Sequence, residues 1–320
     1  MSAPLLKIED LHVGFRGAGG AVEAVRGVDF SIASGEIVGI VGESGSGKSL
    51  SMLAVMRLLG ATARATGGRV IFDGEDLLAA SETRMREIRG RDIAMVFQDP
   101  QSSLNPALTI GRQVTDVVRA HRRMSIGEAR RIAIEALERV GISGASRRLD
   151  AYPHEFSGGM RQRALIAMAI ACRPRLLIAD EPTTALDVTV QAQIVDLIAE
   201  LRRDLGLAVI FISHNLQLVA EIVDRVVVMY GGKVVEDGPA VDIDCAARHP
   251  YTRLLKACVP SLQGPLGPLV AIDGAPPRLG RMPPGCPFAP RCPQVADICR
   301  HEMPALVRDG ARRVACWRPQ

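Results

Sequence analysis

The sequence predicts an α/β fold built on a parallel sheet, and three observations carry that reading. Short apolar runs at 36–41, 176–179 and 207–212 alternate with stretches of helical spacing at 48–59, 158–172 and 188–203, as expected of parallel strands joined by crossover helices. Ahead of them, Leu5 to Val13 and Val22 to Ile32 read as two strands around the turn-forming stretch Gly17 to Gly20, because β-branched and alternating apolar residues flank the glycines. Between the first and second apolar runs, residues 111–141 have helical periodicity and lie between two proline-bearing stretches, 99–106 and 152–155, so they read as a helical insertion.

Composition narrows the function classes. The chain has 320 residues and 39 Lys plus Arg against 35 Asp plus Glu, a formal charge of +4. That is an ordinary surface balance and gives no reason to expect a nucleic-acid partner. Nearly half of the residues are hydrophobic (48%), enough for a substantial core and too many for a disordered chain. The longest apolar runs, such as Ala164 to Cys172, span nine residues, roughly half of a membrane-crossing helix. The N-terminus reaches acidic residues by position 9 without a basic start and apolar stretch, so a secretory leader is not expected and a cytosolic location is. Twelve of the 20 prolines and four of the seven cysteines fall after residue 259, which marks a compositional break near residue 240 and a second module from 241 to 320.

The loop after the first apolar strand carries the most specific chemistry. Residues 42–49 read GESGSGKS, matching G-x-x-x-x-G-K-[ST] between a strand and a helix. Gly42, Gly45 and Gly47, with Ser44 between them, leave backbone N–H groups able to wrap phosphate oxygens. Lys48 then reaches the β- and γ-phosphates, and the Ser49 hydroxyl at the helix start can ligate Mg²⁺. A second strand, LLIADEP at 176–182, ends in two carboxylates. Asp180 can hold Mg²⁺ through water, and Glu181 can orient or deprotonate the attacking water. Ser157, Gly158 and Gly159 in FSGGMRQR (156–163) open a helix and expose another N-terminus suited to phosphate.

In this order the motifs resemble the nucleotide-binding subunit of ABC transporters, over roughly residues 5–240. The resemblance adds Gln98 in VFQDP as the Q-loop residue, TALD at 184–187 as the D-loop, and His214 in ISHN as the switch histidine that reads the γ-phosphate. It implies that Phe15 stacks on adenine, and that Gln98 contacts Mg²⁺ and water beside Glu181 and His214. It also implies a P-loop ABC-type ATPase fold: a RecA-like parallel core, an N-terminal antiparallel β subdomain and a helical signature subdomain at about 100–172. In that family the P-loop of one subunit faces Ser157, Gly158 and Gly159 of another across ATP, so a second ATPase subunit is implied. Met160 stands where the signature usually has Gln, which removes an amide, while Ser157 and Gly159 remain.

FSGGMRQR, with HPYTRLLKACVP at 249–260, resembles one of the two non-identical ATPase subunits of oligopeptide and dipeptide importers. Expected partners are therefore a second ATPase, two transmembrane permease subunits and, through them, an extracytoplasmic peptide-binding protein, with the chain on the cytoplasmic face of the membrane. A nickel importer of the same group, a soluble non-transport ABC ATPase and a redox sensor are the competing readings. Cys286, Cys292, Cys299 and Cys316 are separated by five, six and sixteen residues, unlike the C-x₂-C pairs of most zinc ribbons. By ligand type they suit an iron–sulfur cluster or zinc, and a metal-free tail is the third possibility. The resemblance implies a [4Fe–4S] cluster. Cys172, Cys245 and Cys258 read as buried or incidental thiols.

Overall fold

The structure, a computed structural model, describes residues 3–17, 20–184, 186–258 and 271–319, excluding the side chains at 17, 20 and 21. The chain forms two compact units, Met1–Ala80 with Phe211–Gln320, and Ser81–Ile210. The first begins with β1 (Leu6–Gly17), β2 (Gly20–Ile32), β3 (Ile37–Val41), α1 (Lys48–Val55), β4 (Ala63–Phe72) and β5 (Glu75–Asp76). The second holds α2 (Glu82–Ile88), β6 (Ile93–Val96), α3 (Pro100–Ser103), α4 (Ile110–His121), α5 (Ile126–Arg139), α6 (Ala145–Arg148), α7 (Gly158–Ile170), β7 (Leu176–Asp180) and α8 (Val188–Leu205). Strand β8 (Ala208–Ser213) carries the chain back into the first unit. There follow α9 (Leu216–Ala220), β9 (Arg225–Tyr230), β10 (Lys233–Pro239), α10 (Ala240–Ala246), α11 (Pro250–Ala257), α12 (Asp297–His301), β11 (Val307–Asp309) and β12 (Arg312–Val314).

The N-terminal strands form an antiparallel sheet in the order β2-β1-β4-β5. Along β1 the buried residues are Leu6 and Ile8, then Leu11 and Val13, so the inward face changes parity between positions 8 and 11. The cause is a bulge: the register shifts between Ile8 and Leu11, and Asp10 has a φ of 45°. An extra residue there resets which face points inward. Gly68 on β4 lies against the kink with a φ of 87°, and a Cβ on it would sit 2.2 Å from the Asp10 carbonyl oxygen.

The first unit also contains the parallel pair β3 and β9, with Val38 opposite Arg225 and Val41 opposite Val228. All five residues of β3 are buried, as expected of a strand covered on both faces. β10 runs antiparallel to β9, β12 antiparallel to β10, and β11 antiparallel to β12. The Cys/Pro-rich composition of 241–320 predicts a small irregular C-terminal module. In the structure it supplies two strands, and one of them covers the open edge of β10, where unpaired backbone groups would otherwise face outward. α1 ends at Val55, short of the expected residue 59, because Arg57 adopts a left-handed φ of 50° that an α-helix does not accommodate.

In the second unit, β6 and β7 pair in parallel, from Ile93 opposite Leu176 to Val96 opposite Ala179. The expected helical insertion is present as α4 and α5. Thr109 caps α4, and Ser125 with Glu128 forms a capping box on α5, satisfying N–H groups that have no partner within their helices. Ile110, Val114 and Val118 of α4 and Ala129, Ala133 and Leu137 of α5 are buried. Spaced three to four residues apart, they make the apolar stripes that drive the packing. Among the described residues no helix is long and apolar enough to cross a membrane.

Asp237 on β10 fastens the tail to the sheet. It is 4% exposed, and its carboxylate accepts from Arg225 Nη1 at 2.7 Å and from Arg313 Nε, on β12, at 2.9 Å. Arg225 also reaches Glu36 Oε1 at 2.9 Å. Asp237→Asn places two guanidinium groups around a neutral amide and is expected to destabilise the fold by about 2–3 kcal/mol. The check is the urea midpoint at unchanged slope; a loss below about 0.5 kcal/mol would show that the pairing contributes only as surface pairs do.

Candidate functional site

The loop from β3 to α1 is shaped by close approach. Gly42 has a φ of 154°, and a Cβ there would lie 2.2 Å from the Met229 carbonyl oxygen and 2.9 Å from Ser46 Oγ. Gly47, with a φ of 99°, occupies the N-cap of α1, and no side chain caps that helix. Its first-turn N–H groups and the helix dipole therefore face the loop, the arrangement that binds anions. Around Gly45, with a φ of 79°, a Cβ would meet nothing within 4 Å. Ser44 and Gly45 are exposed, while Lys48 is only 4% exposed. Lys48 Nζ donates to the Gly42 carbonyl at 2.7 Å and to the Glu43 carbonyl at 3.0 Å. The ammonium is thus held along the inner side of the turn, and Ser49 follows it at the start of α1.

The carboxylate strand end lies in the second unit. Asp180, the last residue of β7, is 6% exposed. Glu181 follows with a φ of 46°, a left-handed conformation that costs a non-glycine residue about 1–2 kcal/mol. Its Oε2 accepts from Gln98 Nε2 at 3.0 Å and from Thr184 Oγ1 at 2.8 Å. The structure thus brings together Gln98 and Glu181, which are 83 residues apart in sequence. Thr184 was not singled out as a site residue. The signal available was a hydroxyl three positions after a carboxylate in a turn, and the Thr184 N–H does bond the Glu181 carbonyl at 3.1 Å.

Ser157 is the N-cap of α7, and its Oγ accepts from the Met160 N–H at 3.3 Å. The residue that replaces the usual Gln therefore contributes its backbone to the cap. Gly159 has a packing requirement of its own, since a Cβ there would lie 2.8 Å from Val190 Cγ1 on α8. Gly158 is exposed, with Leu186 Cδ2 at 3.6 Å from its would-be Cβ. In the first unit, His214 is exposed just beyond β8, and Phe15 is half-buried on β1 opposite Val22 and Ala63.

Residues 25–184 match the ABC transporter family, and residues 235–299 match the C-terminal region of oligopeptide/dipeptide transporters. The chain belongs to the ABC transporter family. It is 49% identical to the dipeptide transport ATP-binding protein of Bacillus subtilis, over 98% of this chain and 94% of the relative. It is 47% identical to the oligopeptide transport ATP-binding protein of Escherichia coli, over 98% and 93%. Among solved structures it is similar to a dimeric ATP-binding cassette in a post-hydrolysis state bound to ADP and Pi. That match has a TM-score of 0.66 and 28% identity, covering 73% of this chain and 98% of the other. The fold is accordingly that of a P-loop ABC ATPase.

The tail of this ABC subunit gathers its four C-terminal cysteines. Cys286, Cys292, Cys299 and Cys316 line one pocket together with His249 and Phe288. The Cys286 N–H bonds the Cys299 carbonyl at 2.8 Å, and a Cβ on Gly285 would lie 2.4 Å from that same oxygen. The two cysteine loops are therefore in backbone contact. Burial pushes the Cys286 thiol up to about 11, and burial likewise raises Cys292 and Cys316. Among the described residues no group of three or more His, Cys, Asp or Glu is arranged to hold a metal ion. Of the remaining thiols, Cys172 is buried and Cys245 exposed.

Beside this pocket stands an aromatic cluster. Tyr230 and Tyr251 have ring centroids 4.6 Å apart, and Phe288 packs on both, at 5.2 and 5.3 Å. His249 is fully enclosed, which depresses its pKa to about 3 and keeps it neutral. Its Nδ1 accepts from the Tyr251 N–H at 3.1 Å. The buried Glu236 carboxylate accepts from the N–H groups of Arg248 and His249 at 2.8 and 3.0 Å, fixing the start of α11.

A test of the phosphate loop follows from Gly42. In Gly42→Ala the methyl group meets a strand carbonyl, so the loop must shift. Affinity for a fluorescent ATP analogue is expected to fall at least about 100-fold with the fold retained by circular dichroism; affinity within threefold of wild type would show that the loop tolerates a side chain there.

Proposed function

We propose that this chain is the ATP-hydrolysing subunit of an importer for peptides, acting from the cytoplasmic face of the membrane on two permease subunits. The observation that carries the reading is the match of residues 235–299 to the oligopeptide/dipeptide transporter C-terminal region, in a chain similar to peptide-transport ATP-binding proteins over 98% of its length. ATP closes two such subunits on each other, the second non-identical. Hydrolysis opens them, and the permeases alternate between outward- and inward-facing states while receiving peptide from an extracytoplasmic binding protein.

Within this reading the loop glycines, Ser44 and Lys48 hold the phosphates, and Phe15 stacks on adenine. Ser49, Gln98 and Asp180 support Mg²⁺. Glu181 takes the proton from the attacking water, and His214 senses the γ-phosphate. Ser157, Gly158 and Gly159 serve the nucleotide of the neighbouring subunit. The hydrogen bonds from Gln98 and Thr184 support the role of Glu181, because two donors on Oε2 hold the carboxylate in one orientation. Glu181→Gln is expected to bind ATP normally, trap a closed pair of ATPase subunits and lose at least about 100-fold in turnover. Rapid hydrolysis by the assembled mutant would sink the assignment.

The four tail cysteines fit a [4Fe–4S] cluster by donor chemistry. Four thiols line one pocket, and cysteine thiolates are the donors that hold iron–sulfur clusters, although among the described residues no group of three or more is arranged to hold a metal ion. When bound, it supplies four iron–thiolate bonds across the tail and a one-electron couple. Anaerobic purification should give about four Fe and four sulfide per chain, lost in Cys292→Ser. Stoichiometric zinc or no metal would overturn the cluster and leave the ATPase reading standing.

A further inference from the structure

The tail reaches the phosphate loop at one residue. Arg291 lies in CPFAPRC, immediately before Cys292, and its side chain is only 6% exposed. Its Nη1 donates to Glu43 Oε2 at 2.8 Å and to the Tyr230 hydroxyl at 3.1 Å. Its Nε and Nη2 donate to the carbonyls of Asp273 and Ile272 at 2.9 and 3.1 Å, which fixes the guanidinium plane. Glu43 is the second residue of the phosphate loop, and the tail holds its backbone as well. The Glu43 N–H donates at 2.7 Å to the hydroxyl of Tyr251, on α11. Burial pushes the Tyr251 phenol well above its ordinary pKa, so the oxygen stays a neutral acceptor. The Glu43 carbonyl is one of the acceptors of Lys48. All three polar groups of Glu43 are therefore engaged, two of them by the C-terminal segment and the third by the lysine that reaches phosphate.

We propose that Arg291 and Tyr251 are positioning residues for the phosphate loop, so that the C-terminal segment sets the affinity of this subunit for ATP. Neither residue touches nucleotide in this assignment. They act by fixing Glu43, and through its carbonyl they fix the resting position of the Lys48 ammonium. Phe288, two residues after Cys286 and packed on both tyrosines, ties the same support to the cysteine pocket. Coupling between sites is reciprocal, so nucleotide in the loop also tightens the tail, and a change in the cysteine pocket is felt as a change in ATP affinity. The proposal rests on the ATPase reading above.

The experiment is a double-mutant cycle on the full chain, purified anaerobically, with a fluorescent ATP analogue as the probe. Arg291→Gln and Glu43→Gln are each expected to weaken binding about five- to tenfold, and the double mutant no more than the weaker single. Arg291→Lys, which keeps the charge but not the planar fork, should recover part of the loss. Iron and sulfide content should stay at the wild-type value in all three. In the assembled transporter the effect should raise the KM for ATP while kcat stays within twofold. ATP should also slow alkylation of Cys286 by iodoacetamide in the chain stripped of metal, and should not do so in Arg291→Gln. If Arg291→Gln does not fold, Tyr251→Phe tests the backbone half of the clamp, with the same expected loss. Affinities within twofold of wild type, or losses that add in the double mutant, overturn the proposal. A wild-type chain that fails to bind the analogue would instead overturn the ATPase reading on which it rests.

Discussion

The constraint on which the rest of this structure depends is how closely backbone must approach backbone at the end of β3. Gly42 turns against the Met229 carbonyl with no room for a methyl group, and everything that follows is arranged around that contact. β9 must lie in parallel register beside β3 to bring Met229 there. The turn then directs Lys48 inward, and α1 starts with its N-terminus uncapped by any side chain. Lys48 is compensated inside the loop by the Gly42 and Glu43 carbonyls, whereas no side chain caps the helix start. A helix start with exposed N–H groups beside a buried cation suits an anion, and phosphate is the anion proposed for it.

The second unit treats its catalytic candidate differently. Glu181 is held in a left-handed conformation at the end of a fully buried strand, and two neighbouring side chains converge on one of its oxygens. Strain of this kind persists only where the surroundings over-determine it. Here Gln98, 83 residues away, and Thr184, three residues on, supply that determination. The carboxylate is thereby prevented from relaxing into a solvated turn, the fate of most acidic residues at strand ends.

Much of this was legible in the sequence, for reasons that differ by residue. Runs such as LLIAD and AVIFIS are strands because nothing polar interrupts them, and they were read as strands. The glycines of 42–47 announce a turn, and the insertion of α4 and α5 shows in its periodicity. The parity change in β1 was not legible, because the Asp10 bulge depends on Gly68 approaching from another strand. The strands of the tail were hidden for a similar reason: RRV carries little β signal until β10 offers an edge. Gln98 stands in a motif of its own although Glu181 lies 83 positions away, whereas Thr184, three positions after Glu181, carries no such signal. Glu43 and Arg291 are 248 positions apart, and no spacing rule connects them.

The discontinuous first unit has a consequence for biosynthesis. Residues 81–210 leave the ribosome as one uninterrupted stretch and contain both strands of the β6–β7 pair, so this unit can fold while the chain is still growing. The other unit has to wait. Its antiparallel sheet is made early, but β9 and β10 come more than 140 residues after the loop they support, and Arg313, the partner of Asp237, follows that residue by a further 76. The nascent chain therefore carries an open sheet edge and a half-supported glycine-rich loop until Arg313 and its neighbours have left the ribosome.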